Sequence, residues 1–402
     1  MKTERFKDDI SKAARLIEKG GLVAVPTETV YGLACNGLDF ETVSRIYEVK
    51  GRPAAKPLSL MIADVRDMDR LCHDIPEQAR TLAREFWPGP LTIVLPANEI
   101  IPEIVLAGGK TVGLRCPNHP LTLSLLRETG IPLAAPSANP SGEPSPRNAE
   151  QVLAYFDGKI DAVIDGGACE IGVASTLIDM SVSPYRILRQ GALSQETIAE
   201  ALAEKMLVIG ITGGSGGGKT TALRVLEELG ALVIDCDAVY HDLLKSSEDM
   251  LCEIMGAFPD AEVNGTLNRK ALAAMVFSDS EALLRLNRIT HCYVCDAVEE
   301  LLRKYAMRGG TMAAIDAIEL FSSGLANRCT TTCAILAEPE TRARRIVARD
   351  HIDYDAAMAR IRAQHPDSYY MENCDHTLWN NAEQEQFENN CRQLFKEITK
   401  NG

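Results

Sequence analysis

No apolar run in this 402-residue chain approaches the roughly 18 residues of a membrane span. The opening stretch, Met-Lys-Thr-Glu-Arg-Phe-Lys-Asp-Asp, alternates charges and lacks the apolar core of a secretory signal. A soluble, cytoplasmic protein with no membrane partner is therefore expected. A basic surplus is also missing. The formal charge is −14, with 22 basic against 27 acidic residues through Lys205 and 20 against 29 beyond it. That balance argues against direct bulk binding of nucleic acid through the phosphate backbone, so any cationic cluster should be a local pocket for a small anion. Low-complexity segments and internal repeats are absent as well, and no Gly/Ser- or Pro-rich linker interrupts the chain.

What is present is globular. Hydrophobic residues make up 46% and charged residues 24%, and 402 residues exceed the roughly 250 to 300 at which one core stops growing. Two domains are the expectation. The joint falls near position 205. There the run 187–191 and a helical stretch from about Ser194 give way to Leu207-Val208-Ile209-Gly210-Ile211, which reads as a buried first strand. Met206 stands where an independent reading frame could begin. The division expected is 1–193, a short helical connector at 194–205, and 206–402. Twelve cysteines without an export signal imply reduced thiols. His291, Cys292 and Cys295 with Cys329 and Cys333 allow a zinc site, but their apolar surroundings favour buried free thiols.

The second half opens on a phosphate cradle. After the strand come residues 213–220, Gly-Gly-Ser-Gly-Gly-Gly-Lys-Thr, a complete G-x-x-x-x-G-K-T. A helical pattern follows, with Ala222, Leu223, Val225, Leu226 and Leu229 before Gly230. Gly213, Gly216, Gly217 and Gly218 let amides turn toward the phosphates of ATP, with Thr220 and Thr221 at the positive end of the helix. Lys219 would neutralise charge on the transferring group and the Thr220 hydroxyl would ligate Mg2+. The next strand, 232–234, ends in Asp235-Cys236-Asp237. Two carboxylates at the carboxyl edge of a parallel sheet suit magnesium binding and activation of an acceptor hydroxyl. Met312-Ala313-Ala314-Ile315-Asp316 reads as a further strand delivering one carboxylate toward the metal.

These residues resemble the dephospho-coenzyme A kinases across 206–402. The likeness rests on TGGSGGGKTT, VIDCDAVYHDLL, NGTLNRKALAAMVFSD, the 287–291 segment, IDAIELFSSGL, and ARRIVARD followed by RIRAQ. It implies a P-loop fold, a parallel sheet flanked by helices and carrying a lid. It also makes Asp237 the base for the ribose 3′-hydroxyl, puts Asp235 nearby, and sets Arg345 and Arg349 on the lid over ATP. Two departures touch the acceptor side: Cys292 replaces a proline, and Ile318 sits where the family has a DxPLLFE-type segment. A different P-loop kinase, of nucleosides or nucleotides, is the rival reading.

The first half has no Ser-His-Asp or Cys-His pairing and no histidine–carboxylate cluster at metal spacing. It has an apolar strand ending in Pro26-Thr27-Glu28-Thr29, then an amphipathic helix with Phe40, Val43, Ile46 and Tyr47 on one face. Lys50, Arg52 and Lys56 follow within seven residues, with glycine and proline fixing the turn. A strand from Lys110 delivers Arg115, and residues 136–142 form a turn rich in hydroxyl and amide donors. Cations, hydroxyls and amides without a nucleophile suit nucleotidyl transfer.

Over 10–193 these motifs resemble the YrdC-type threonylcarbamoyl-adenylate synthases, through PTETVYGLA, KGRPAAKPLSL, WPGPLTIVL, TVGLRCPNHP, APSANPSGEPSP, ASTLID and ILRQGALS. The resemblance implies a twisted mixed-sheet α/β domain that makes threonylcarbamoyl-AMP from L-threonine, bicarbonate and ATP, for threonylcarbamoyladenosine in tRNA. It sets Lys50, Arg52, Thr111, Ser137, Asn139, Ser145 and Arg189 on ATP, and Thr27 and Arg115 on threonine. Met61 replaces a histidine of some members. The chain is similar to the short form, which relies on partner proteins for transfer to tRNA. The competing reading is a non-catalytic RNA-binding module.

Overall fold

The structure, a computed structural model, describes residues 2–401, so the outermost bounds of the two expected domains, 1 and 402, lie outside the described residues. The chain divides into two compact units. The first comprises residues up to Glu204 with Met307–Gly309, and the second runs from Lys205 to Ala306 and from Gly310 onward.

The first unit is built on ten strands: β1 (Glu4–Phe6), β2 (Val23–Val25), β3 (Gly32–Asn36), β4 (Ser59–Met61), β5 (Leu91–Pro96), β6 (Thr111–Arg115), β7 (Leu133–Ala134), β8 (Ala162–Ile164), β9 (Thr176–Asp179) and β10 (Arg186–Arg189). Their order is β1-β8-β2-β3-β7-β4-β6-β5-β9-β10. The sheet is mixed: β4 runs parallel to β6 and β5 parallel to β9, whereas β2–β3, β3–β7 and β5–β6 are antiparallel. Strands such as Val23–Val25 are buried throughout, which explains their unbroken apolar text. Phe6, Ile17, Val23, Val25, Leu125, Leu133 and Ile164 share one core.

Helix Phe40–Lys50 is capped by Asp39, whose carboxylate accepts from the amides of Glu41 and Thr42, and it ends at Gly51 with φ 58°. Val43, Ile46 and Tyr47 are buried as their spacing predicts, but Phe40 is 55% exposed. It occupies the first turn, beyond the stretch that packs on β3. Helix Gln195–Glu204, which the sequence sets apart as a connector, buries Ile198, Ala199, Leu202 and Ala203 and packs on helix Glu77–Phe86 of the same unit.

In the second unit β11 (Leu207–Thr212), β12 (Leu232–Asp235), β15 (Met312–Asp316), β16 (Thr331–Leu336) and β17 (His376–Trp379) form a wholly parallel sheet of order β12-β15-β11-β16-β17. A two-stranded ribbon, β13 (Glu262–Val263) with β14 (Thr266–Leu267), stands apart from it. The first strand is central, so the loop that follows it emerges mid-sheet at the carboxyl edge, where α/β proteins bind ligands. The helices Lys219–Glu228 and Gln384–Asn401 pack with the sheet in one core, which includes Ile209, Ile211, Leu226, Ile335, Phe387, Cys391 and Phe395. Helices Cys236–Ser246, Glu248–Ala257, Arg269–Ser278 and the long Ser280–Ala306 enclose a second cluster around Met250, Ile254, Phe258 and Leu272. A third small core of Ala343, Ile346, Ala357 and Ile361 joins helices Pro339–Asp350 and Tyr354–Arg362 into an arm. Among the described residues no helix is long and apolar enough to cross a membrane.

The cysteines are all free thiols. Cys333 is buried, but Cys292 is exposed and Cys295 and Cys329 are half-buried, which corrects the expectation that all four are buried. Cys292 projects from the outer side of helix Ser280–Ala306, its thiol 3.7 Å from the Arg288 carbonyl. Among the described residues no three His, Cys, Asp or Glu side chains are grouped to hold a metal ion.

Candidate active sites

In the first unit the strand–helix–turn order brings distant cations together. Lys50 ends its helix with only 3% exposure, and its ammonium donates to the carbonyls of Ser137 and Asn139. Burial, with Arg52 adding like charge, pulls its pKa down to about 7. Arg52 donates from Nε to the Lys56 carbonyl at 3.1 Å and from Nη2 to the Pro57 carbonyl at 2.8 Å, which holds the guanidinium across its own turn. Arg189 is anchored on Ser175, through Nε and Nη2 to the carbonyl at 3.1 and 2.9 Å and Nη2 to Oγ at 3.1 Å. Its pKa is lowered by burial and then by Arg115 and Arg52, so two strands and the turn after helix Phe40–Lys50 present these cations to one another.

Arg115, at the end of β6, is buried. It donates from Nε to the Gly89 carbonyl at 3.1 Å, and from Nη2 to Glu28 Oε1 at 2.7 Å and Thr29 Oγ1 at 2.9 Å. The other oxygen of Glu28 accepts from the Asn118 amide at 3.0 Å. Glu28 is a residue the sequence reading passed over. It lies within PTETVYGLA, but only the fold shows its carboxylate buried against Arg115. Thr27 lies on the same turn with its hydroxyl turned inward: Oγ1 donates to the Val30 carbonyl at 2.6 Å and accepts from the amides of Thr29 and Val30. The Asn139 amide donates to the carbonyls of Pro140 and Glu143, while its buried Oδ1 has no partner among the described residues. Ser145 lines an open cavity of about 670 Å³ with Val30, Arg147, Gln151, Tyr155 and Val173. Thr111 begins β6, opposite Pro96.

In the second unit residues 213–218 wrap the carboxyl end of β11. Gly213 and Gly218 have φ of 131° and 106°, and a Cβ on either would meet Ile335 O at 2.3 Å or Asn380 Nδ2 at 2.0 Å, so both conformation and space require glycine. Lys219 Nζ donates to the Gly213 carbonyl at 3.2 Å and lies 3.7 Å from Asp316 Oδ1. Asp316 pairs in register with Asp235 across β12 and β15. Burial raises its pKa to about 6, with Lys219 opposing the rise and the carboxylates of Asp235 and Asp237 adding to it. Asp235 caps the next helix, Oδ1 accepting from the amides of Asp237 and Ala238 at 2.9 and 3.1 Å. Asp237, in the first turn, stands at a cavity of about 470 Å³ that is otherwise largely apolar. His291, Asn287, Ile318 and Glu319 also line it, but Cys292 does not. Thr220 is exposed at the helix N-terminus, and the Thr221 amide donates to the Gly218 carbonyl.

The arginine-rich helix differs from expectation. Arg345 faces the loop, Nη1 donating to the Gly216 and Gly217 carbonyls at 3.3 and 3.5 Å and Nη2 to Asn380. Arg349 instead forks onto its neighbour Asp350 at 2.6 and 2.9 Å, and Arg360 shares that carboxylate. Its reach toward the loop is taken by Arg342, only 3% exposed, whose Nε donates to the Ser215 carbonyl at 3.0 Å. Gln364 Oε1 accepts from the Ser215 amide at 3.0 Å, and Arg342, Gln364 and Asn380 thus touch the loop although the sequence does not single them out.

Both units are similar in sequence to known proteins. Residues 15–191 match the Sua5/YciO/YrdC family model, described as telomere recombination, and residues 207–386 match the dephospho-CoA kinase family model. A threonylcarbamoyl-AMP synthase of Pyrococcus abyssi is 48% identical over 202 residues, which is 50% of this chain and 59% of the relative. A putative threonylcarbamoyl-AMP synthase of Mycobacterium tuberculosis is 38% identical over 200 residues, 50% of this chain and 91% of its own. The crystal structure of P. abyssi Sua5 complexed with L-threonine aligns at 29% identity over 82% of this chain and 96% of that one, with a TM-score of 0.49. The chain thus spans about three-fifths of the length of the P. abyssi relative.

Proposed function

Through its first unit the chain belongs to the threonylcarbamoyl-AMP synthase family, and from this, with its second unit matching dephospho-CoA kinase, we propose a bifunctional cytoplasmic enzyme. One activity joins L-threonine, bicarbonate and ATP into threonylcarbamoyl-AMP, releasing pyrophosphate. The other phosphorylates the ribose 3′-hydroxyl of dephospho-coenzyme A. The observation that carries the first is the convergence of Lys50, Arg52, Arg115 and Arg189, among which Glu28 pairs with Arg115. Positive charge pre-arranged in a partly dry site stabilises the charge that develops as pyrophosphate leaves. Lys50 and Arg52 grip the triphosphate with Thr111, Ser137, Asn139, Ser145 and Arg189. Arg115 takes the threonine carboxylate above the turn that Thr27 closes.

In the second unit Asp237 removes the acceptor proton while Lys219 and the loop amides hold the γ-phosphate, with Gly213, Gly216, Gly217, Gly218, Thr221 and Arg345 shaping the ATP site. Arg349 reaches ATP only if it exchanges its Asp350 partner. Thr220 and Asp235, with Asp316 beside them, fit Mg2+, because this ion is held through one or two carboxylates, substrate phosphates and water rather than by a closed protein cage. Bound there, the ion would supply charge neutralisation on the phosphates. Transfer of the threonylcarbamoyl group to tRNA falls to partner proteins.

One purified preparation should release pyrophosphate only with threonine, bicarbonate and ATP together, and form ADP with dephospho-coenzyme A. An RNA affinity that falls steeply with salt, without pyrophosphate release, would establish the binding-module reading of the first unit instead. Preference for a nucleoside or nucleotide in side-by-side acceptor assays would reassign the second.

A further inference from the structure

Ser215, at the crest of the phosphate loop, has all three of its polar groups occupied by side chains from one arm of the fold. Its amide donates to Gln364 Oε1 at 3.0 Å, its carbonyl accepts from Arg342 Nε at 3.0 Å, and its hydroxyl accepts from Gln364 Nε2 at 2.9 Å. The two clamping side chains are themselves joined, Arg342 Nη2 donating to Gln364 Oε1 at 2.8 Å, and Arg342 Nη1 lies 3.4 Å from Asp367. Arg342 stands on helix Pro339–Asp350, and Gln364 just follows helix Tyr354–Arg362. Both legs of the arm therefore meet at one loop residue. The approach is close: a Cβ on Gly214 would come within 2.0 Å of Arg342 Nη2, and one on Gly216 within 2.7 Å of the Arg342 carbonyl.

We propose that Gln364 is a positioning residue for the ATP site, holding Ser215 so that the crest of the phosphate loop is set by the arm before nucleotide arrives. The Ser215 amide is thereby withdrawn from phosphate binding, the Gly217 amide donates to the Gly214 carbonyl at 3.2 Å, and the clamp fixes the loop that carries the other amides. A loop fixed in advance loses less freedom when ATP binds, so the clamp acts on ATP affinity and not on the acceptor. This rests on the kinase reading of the second unit.

The test uses the full chain and three measurements: ATP binding by calorimetry, ADP formation with dephospho-coenzyme A, and threonine-dependent pyrophosphate release. Gln364→Leu leaves the Ser215 amide and Arg342 Nη2 without their acceptor, and KM for ATP should rise about tenfold. KM for the acceptor and pyrophosphate release should stay unchanged. Gln364→Glu retains the acceptor oxygen and should bring KM for ATP back to within about threefold of the parent. If Gln364→Leu does not fold, Ser215→Ala decides, since it removes only the hydroxyl and should raise KM for ATP about threefold. An ATP KM unchanged in the informative variant, or an equal rise for the acceptor, overturns the proposal. A parent protein that binds ATP but ignores dephospho-coenzyme A overturns the acceptor assignment while leaving the clamp testable by ATP binding alone.

Discussion

A lysine with its folded-state pKa near 7 instead of 10.5 makes the synthase site sensitive to pH. Between these values the unfolded chain holds a proton that folded Lys50 has lost, so the free protein gains stability as pH rises through the window, and the burial penalty is complete below about 7. A bound triphosphate reverses the balance by favouring the ammonium. At pH 8, ATP binding should therefore draw in close to about one proton, read by calorimetry in two buffers of different ionisation enthalpy. Equal enthalpies in both buffers would mean that Lys50 is already charged. In the kinase site Lys219→Ala should slow phosphoryl transfer on the order of a hundredfold or more. Asp237→Asn, nearly isosteric, should keep ATP binding while transfer slows. Transfer at the parental rate in that variant would remove Asp237 as base and leave Asp235, or the half-buried Asp316, as the group to examine.

Local text revealed the residues whose role depends on neighbours in sequence. The glycine loop, Lys219 and the K-x-R turn each lie within a few positions and need only a flanking strand or helix to be understood. Glu28, Arg342, Gln364 and Asn380 depend on partners far along the chain: Glu28 meets Arg115 87 positions away and Gln364 meets Ser215 149 positions away. Periodicity gives no hint of such pairs. The same limit explains Arg349. An arginine-rich helix next to an ATP loop announces cations, but the neighbouring Asp350 decides that Arg349 is spent locally.

At the scale of elements, apolar runs identified β11, β12 and β15 and the helix behind the loop; β11 and β15 are buried on both faces and carry continuous hydrophobic text, while β12 is a half-buried edge strand. Helix Gln384–Asn401 escaped this reading. Its buried stripe is narrow, Phe387, Cys391 and Phe395 at four-residue spacing, within a strongly polar segment. That stripe closes one side of the kinase core. Phe395→Ala should destabilise the second unit by about 3 to 5 kcal/mol, measured by denaturant unfolding followed through ADP formation. A loss below about 1 kcal/mol would show that the helix is dispensable to the core. Pyrophosphate release should not change.

At the scale of the whole molecule the question is whether two chemistries sharing only ATP also share a folding unit. Each unit carries its own sheet and its own core, and the proposed activities give each its own phosphate site. Helix Gln195–Glu204 buries its apolar face within the first unit, so a cut that respects packing falls after Glu204 and not before the helix. Cleavage at an inserted protease site between Glu204 and Lys205 should give two soluble fragments, the first releasing pyrophosphate with threonine and the second phosphorylating dephospho-coenzyme A. A cut at 193–194 should cost the first fragment stability, since it removes a helix that packs on Glu77–Phe86 and buries Ile198, Ala199, Leu202 and Ala203. Comparing the melting temperatures of the two versions of the first fragment measures that contribution directly. If neither fragment folds after the Glu204 cut, the two halves depend on a common core, and the description as two independent enzymes joined end to end fails.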